Sequence, residues 1–176
     1  FSESMEVETP LIGKFNVYNT LAAVAVGLIE GIPLSSVVRS LKSVTGVEGR
    51  LEPVIAGQDF SVVVDYAHTP DGLENVLRTL KEIARKRLIC VFGCGGDRDR
   101  AKRPIMGRIA AEYADYIVLT SDNPRTEDPE RILDEIEQGL QEAGVPSGRY
   151  ERMADRKLAI QKAVEMASCD DVVLIA

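Results

Sequence analysis

Apolar residues in this chain gather in short blocks between charged stretches, and the rhythm of the blocks changes partway along. Over residues 16–30 alanine, valine and leucine recur at helical spacing until Gly31 and Pro33 stop them. Residues 34–44 read as a second, shorter helix closed by Gly46. The next two blocks, 51–55 and 60–65, read as strands joined by Ala56-Gly57-Gln58-Asp59, a hairpin signal. A regular alternation follows: helix 70–86, strand 88–92, helix 104–113, strand 116–120, helix 129–143, a short strand near 150–153, helix 156–167 and strand 171–175. The strand blocks are continuous apolar runs, such as Val62-Val63-Val64, as burial on both faces requires.

Strands alternating with helices predict an α/β fold, a three-layer Rossmann-like domain with a mostly parallel sheet. The two leading helices have no strand partner. They read as the end of a preceding domain, with a boundary near Gly49-Arg50 that divides the chain into 1–49 and 50–176. In doubly wound sheets ligands bind outside the carboxyl ends of the strands. The loops after Asp65, Phe92 and Thr120 are therefore the places to look.

Composition narrows the classes. Of 176 residues 45% are hydrophobic and 28% charged, which fits a globular chain and not a disordered one. A net charge of −7 argues against general nucleic-acid binding, which needs a basic face. Aromatics at 5% and the absence of Trp argue against a base-stacking platform. No apolar run approaches the roughly 18 residues of a membrane span. Residues 1–6 lack the basic and apolar regions of a signal peptide, so no membrane insertion and a cytoplasmic location are expected. Cys90, Cys94 and Cys169 form no Cys-x-x-Cys pair, and His68 stands alone, so neither a disulfide framework nor a zinc or multi-histidine site is expected. The chain starts without Met and stops inside the apolar run 171–176, so it is expected to be a piece of a longer one.

The three loops are unusual in different ways. In Asp65-Tyr66-Ala67-His68-Thr69-Pro70-Asp71, Thr69 and Pro70 make a helix start, leaving Asp65 and His68 without a capping role. Gly93-Cys94-Gly95-Gly96 follows a strand directly, where glycines let backbone N–H groups approach an anion. The dinucleotide fingerprint nevertheless fails, because Arg98 stands where its third glycine belongs, and no P-loop occurs anywhere. Residues 97–108 hold Arg98, Arg100, Lys102, Arg103 and Arg108 against Asp97 and Asp99, a local excess of three positive charges that suggests an anion-facing site. The alternative is a solvated helix start, although cations there oppose the helix dipole. In the third loop Asp128-Pro129 reads as a cap, leaving Asp122, Asn123 and Arg125. A carboxylate, an amide and a guanidinium within four residues suit a zwitterion; an Asx turn is the competing reading.

Taken together, the stretches Gly13-Lys14-Phe15-Asn16-Val17-Tyr18-Asn19, Gly49-Arg50-Leu51-Glu52, Asp65 to Asp71, Phe92 to Asp99, Lys102-Arg103-Pro104 and Asp122-Asn123-Pro124-Arg125 resemble the Mur ligases, in family order and over nearly the whole chain. Among them the chain is most similar to the branch that adds the third residue of the peptidoglycan stem peptide. The resemblance implies an ATP- and magnesium-dependent ligase: ATP phosphorylates the terminal carboxylate of UDP-N-acetylmuramoyl-L-alanyl-D-glutamate, and an incoming amine attacks the acyl phosphate. It implies that 1–49 closes a central ATP-binding domain and that 50–176 is a C-terminal amino-acid-binding domain. Asp122, Asn123, Pro124 and Arg125 then match the stretch that recognises meso-diaminopimelate, and Arg98 matches a further contact to that amino acid. Asn16, Asn19, Arg50, Asp65 and His68 match stretches that line the nucleotide. The family's P-loop, its carbamylated lysine and its Gly-Lys-Gly-His-Glu stretch are not in this sequence. ATP and magnesium are accordingly expected to be held mainly by a central domain, no residue here is given a catalytic or metal-ligating role, and this stretch alone is expected to be inactive. Other readings stay open: a lysine-adding, folylpolyglutamate or cyanophycin synthetase of the same superfamily, a dinucleotide-binding oxidoreductase domain, or a non-catalytic nucleotide- or phosphate-binding module.

Overall fold

Burial on both faces shapes the larger part of the molecule. The computed structural model describes residues 4–44 and 46–176; residues 1–3, part of the stretch read as lacking a signal peptide, lie outside the described residues, as does Thr45. The chain forms two compact units, one through Leu51 and one from Glu52 to Ala176.

In the first unit, helix α1 (Lys14–Ile29) starts after Gly13, whose φ of 97° lies where L side chains are strained. Asn16 and Asn19 secure this start: the Asn16 amide donates to the Ile12 carbonyl at 2.7 Å, and Asn19 donates to Asn16 Oδ1 at 3.1 Å. Gly31, at φ 78°, ends the helix, as its place in the sequence predicts. Helix α2 (Leu34–Leu41) follows Pro33 and is three residues shorter than expected. Arg50 closes a tight turn, its N–H donating to the Val47 carbonyl at 3.0 Å.

The second unit runs β1 (Glu52–Val54), β2 (Ser61–Val64), α3 (Pro70–Ile83), β3 (Leu88–Phe92), α4 (Lys102–Tyr113), β4 (Tyr116–Thr120), α5 (Pro129–Glu142), β5 (Tyr150–Met153), α6 (Arg156–Met166) and β6 (Val172–Ile175). The sheet order is β1-β2-β6-β3-β4-β5. The expected hairpin makes β1 an antiparallel edge, with Glu52 opposite Val64. Every other pairing is parallel, and the last strand slots between β2 and β3, with Val173 beside both Val62 and Ile89. Right-handed crossovers explain the layers. Steps from β2 through β5 run one way and place α3, α4 and α5 on one face; the return to β6 places α6 on the other. Val62, Ile89, Val91, Val118 and Val173 pack with Ala159 and Ala163 of α6, forming the core of that face.

Helix starts follow local chemistry. Thr69 accepts from Gly72 N–H at 3.2 Å with Pro70 at N1, and Asp128 accepts from Glu130 N–H at 3.0 Å with Pro129 at N1, both as the sequence predicts. Helix α4 begins at Lys102, two residues before the expected 104, and has no side-chain cap. Pro104 is tolerated because it falls within the first turn, where N–H groups lack intrahelical partners. Between α4 and α5 the backbones touch: a Cβ on Gly107 would lie 2.3 Å from the Ile136 oxygen, and one on Gly139 would lie 2.0 Å from the Pro104 oxygen.

Candidate functional site

The loops after β2, β3 and β4 border one open cleft of about 590 Å³. It gathers His68, Arg98, Asp122, Asn123 and Arg125 from the expected site residues. Asp65 lies beneath it, 6% exposed at the end of β2, with its N–H donating to the Ile175 carbonyl. Pro124 is not among the residues that line the cleft, and its backbone lies against Gly96. Asn16, Asn19 and Arg50 belong to the first unit.

The first loop builds one wall. His68 Nδ1 sits 3.0 Å from the Tyr66 carbonyl, and the two rings pack with centroids 4.9 Å apart. Lys102, from the start of α4, donates to the His68 carbonyl at 2.6 Å and so ties this wall to the second loop. Tyr66 was not singled out in the sequence, yet it is 65% exposed and lines the cleft. An aromatic ring left in water beside a capped helix start is a signal only once exposure is known.

The second and third loops are interlocked, which corrects the sequence reading of the glycines. A Cβ on Gly93 would lie 2.2 Å from the Thr120 oxygen, and one on Gly96 would lie 1.9 Å from the Pro124 oxygen. The Gly96 N–H is already given to the Asn123 carbonyl at 2.8 Å. These two glycines admit a neighbouring backbone, not an anion. Asp97 completes the clasp from φ 53°: its carboxylate accepts from Thr126 Oγ1 at 2.7 Å and from Thr126 N–H at 3.3 Å.

The basic stretch also changes meaning. Arg100 pairs with Glu135, and Arg108 pairs with Glu142 at 2.5 Å. Arg103 is fully buried: it forks onto Glu127 at 2.8 and 2.9 Å and reaches Glu135 at 2.8 Å. The Arg103 guanidinium, with help from the Asp97 N–H, holds the Glu127 carboxyl down at about 2. Three of the five cations are therefore neutralised by acids on or just before α5. Exposed Arg98 makes no ion pair among the described residues. Neither does Arg125, whose Nη1 instead donates to the Gly96 carbonyl at 2.5 Å.

What remains on the cleft is a guanidinium and a carboxylate, Arg125 and Asp122, close together. From the Cβ position of Gly95, Arg125 Nη1 is 2.9 Å away and Asp122 Oδ2 is 3.6 Å away. The two charges are thus a few ångströms apart without pairing to each other, about the reach of an amino acid's own ammonium and carboxylate. Arg125 holds a left-handed backbone, φ 50°, which is uncommon outside glycine and enriched at functional sites. Cys94 lies beneath the loop against Met106 Sδ at 3.7 Å, and burial pushes its thiol up to about 11, so it is a packing group and no nucleophile at neutral pH. Among the described residues no group of three His, Cys, Asp or Glu side chains could hold a metal ion, and no helix is long and apolar enough to cross a membrane.

The family described as Mur ligase, glutamate ligase domain, matches residues 49–176. The UDP-N-acetylmuramoyl-L-alanyl-D-glutamate--2,6-diaminopimelate ligase of Syntrophomonas wolfei is 54% identical over 98% of this chain and 35% of its own length. Its namesake in Halalkalibacterium halodurans is 51% identical over 100% of this chain and 35% of its own length. A solved structure of a ligase of the same name is 44% identical, with a TM-score of 0.69 over 98% of this chain and 35% of that one. Folylpolyglutamate synthase of Mycobacterium tuberculosis, solved with ADP and AMPPCP, shares the fold at 23% identity and a TM-score of 0.75, over 96% of this chain and 38% of its own. This chain spans about 35% of the length of the curated relatives it matches. A family match across most of the chain, with relatives more than half identical, shows that it belongs to the Mur ligase family.

Proposed function

We propose that residues from Arg50 onward form the amino-acid-binding domain of a ligase that adds meso-diaminopimelate to UDP-N-acetylmuramoyl-L-alanyl-D-glutamate in peptidoglycan synthesis. The observation that carries the reading is Arg125. It stands in the cleft with no acidic partner among the described residues, beside the opposite charge of Asp122 and on the same cleft as unpaired Arg98. Diaminopimelate has two ammonium and two carboxylate groups, one carboxylate more than lysine. Two guanidinium groups without an acidic partner among the described residues, and a carboxylate, match that excess. The relatives' names point to the same amino acid. The phosphate-binding alternative loses its support, because Arg100, Arg103 and Arg108 are already paired.

In this reading residues 1–49 are the last helices of a central ATP-binding domain. Asn16, Asn19, Arg50, Asp65 and His68 are each read as contacts to the nucleotide. ATP would supply the phosphoryl group that activates the peptide carboxylate, and magnesium would shield its phosphates. The part of the amino-acid domain described here binds and orients: Arg125 and Arg98 would hold carboxylates and Asp122 an ammonium, leaving an amine to attack the acyl phosphate and expel phosphate. The work is cytoplasmic, where ATP and UDP-linked precursors are available.

The test is Arg125→Ala in a full-length ligase carrying this chain. Leaving one substrate carboxylate unmatched should raise the KM for meso-diaminopimelate by roughly tenfold to a hundredfold, on the scale of about 1.5–3 kcal/mol for a charged hydrogen bond. The KM for ATP should hold. Equal losses for both substrates, or a parent enzyme that prefers L-lysine, would overturn the reading.

A further inference from the structure

The support beneath the cleft is built around a group that stability alone does not explain. Arg103 is 0% exposed, and its Nε finds no partner among the described residues. Buried ion pairs are often matched or bettered in stability by apolar side chains of similar volume, so a buried arginine with an orphaned N–H is a poor way to fill a core. Its remaining donors make four hydrogen bonds to three residues around the second and third loops. Nη1 reaches Glu127 and Glu135; Nη2 reaches Glu127 and, at 3.3 Å, the Gly95 carbonyl. Gly95 is the residue on which the Arg125 guanidinium rests, and Glu127 follows Arg125 by two positions. Glu127 also accepts from the Asp97 N–H at 2.7 Å, and Asp97 in turn clasps Thr126. One guanidinium thus fixes the floor under Arg125 and the segments on either side of it. It holds two residues, Asp97 and Arg125, in left-handed conformations that cost energy when unsupported.

We propose that Arg103 is a positioning residue for amino-acid selection: from below the cleft it sets where Arg125 stands relative to Arg98 and Asp122, and so sets the preference for a substrate with two carboxylates over its one-carboxylate analogue. The inference rests on the reading of Arg125 given above. Lysine at 103 keeps the charge but loses the planar fork that spans Glu127, Glu135 and Gly95 together. Glu127→Gln keeps the shape of the acceptor and removes the charge that Arg103 grips. Gly95→Ala leaves every ion pair intact but places a methyl 2.9 Å from Arg125 Nη1, so that side chain must swing aside.

The experiment compares kcat/KM for meso-diaminopimelate and for L-lysine in a full-length ligase carrying this chain, for the parent, Arg103→Lys, Glu127→Gln, Gly95→Ala and Arg125→Ala, with urea midpoints recorded for each. Arg103→Lys and Glu127→Gln should each lower the diaminopimelate-to-lysine ratio about tenfold, with the KM for ATP moving less than about twofold; tenfold corresponds to ~1.4 kcal/mol. Gly95→Ala should lower the ratio at an unchanged urea midpoint, showing that displacement of Arg125 alone is enough. If Arg103→Lys does not fold, Glu127→Gln carries the test. Urea midpoints that fall while the ratio holds in both Arg103→Lys and Glu127→Gln would make Arg103 a purely structural group and overturn the proposal. If the parent shows no preference, or Arg125→Ala keeps it, the reading of Arg125 fails first and the proposal falls with it.

Discussion

Replacing Gly139 by alanine sets two effects of opposite sign against each other, and the structure decides between them. Gly139 is inside α5, where alanine is the better helix former by ~1 kcal/mol. On helix propensity alone Gly139→Ala would stabilise. The added Cβ would sit 2.0 Å from the Pro104 oxygen, 2.8 Å from its carbonyl carbon and 2.9 Å from its Cα, where ordinary contact begins at 3.4 Å. The obstacle is backbone and cannot rotate away, so α4 and α5 must part by more than an ångström. Overpacking of this kind costs ~1–3 kcal/mol, toward the upper end when no side chain can yield, so a net loss of about 1–2 kcal/mol is expected. The loss would reach the site as well. Glu135 is one turn before Gly139 and Arg103 one turn before Gly107, so parting the helices stretches the 2.8 Å Arg103–Glu135 bond. Equilibrium urea denaturation measures the effect directly. Gly148→Ala is the control, because a Cβ there meets nothing within 4 Å and its φ is not left-handed. A Gly139→Ala midpoint at or above the parent's would refute the reasoning, since it would mean that the helix contact yields more cheaply than the propensity gain.

Two further outcomes follow from the titrating groups. Glu127 is depressed from 4.5 to about 2, so the stability linked to its ionised form is present above pH 4.5 and is lost as pH falls from there toward 2; urea midpoints taken across that window should decline, and the decline should be shallower in Glu127→Gln. Cys90 and Cys94 are buried with raised thiols while Cys169 is exposed, so an alkylating reagent at neutral pH should modify Cys169 in the native chain and reach the other two only after denaturation; fast labelling of Cys94 would contradict the packing under the cleft.

Local features were legible in the sequence because their causes are local. Thr69-Pro70 and Asp128-Pro129 cap the helices they were expected to cap, since capping needs only the next two or three residues. The apolar blocks of β3, β4 and β6 became strands buried on both faces, and the alternation of strands and helices was sufficient for the parallel sheet. The place of β6 was not legible, because strand order follows from crossovers and no pattern within Val172–Ile175 encodes its neighbours. The glycines after β3 misled for a physical reason. A missing Cβ serves an approaching phosphate and an approaching backbone equally well, and here Thr120 and Pro124 take the space. The basic stretch misled in the same way: Glu127, Glu135 and Glu142, which neutralise Arg103, Arg100 and Arg108, lie 24 to 35 residues downstream, where a local charge count does not see them. Subtracting those pairs does not erase the signal; it relocates it. Arg98 and Arg125 are the arginines on the cleft with no acid partner among the described residues; the first was counted in the basic stretch, the second stood out beside Asp122 and Asn123, and the family resemblance picked out both. The neutralised cations build the frame and Arg98 and Arg125 are left over, so on this domain the informative quantity is the charge that folding leaves unpaired.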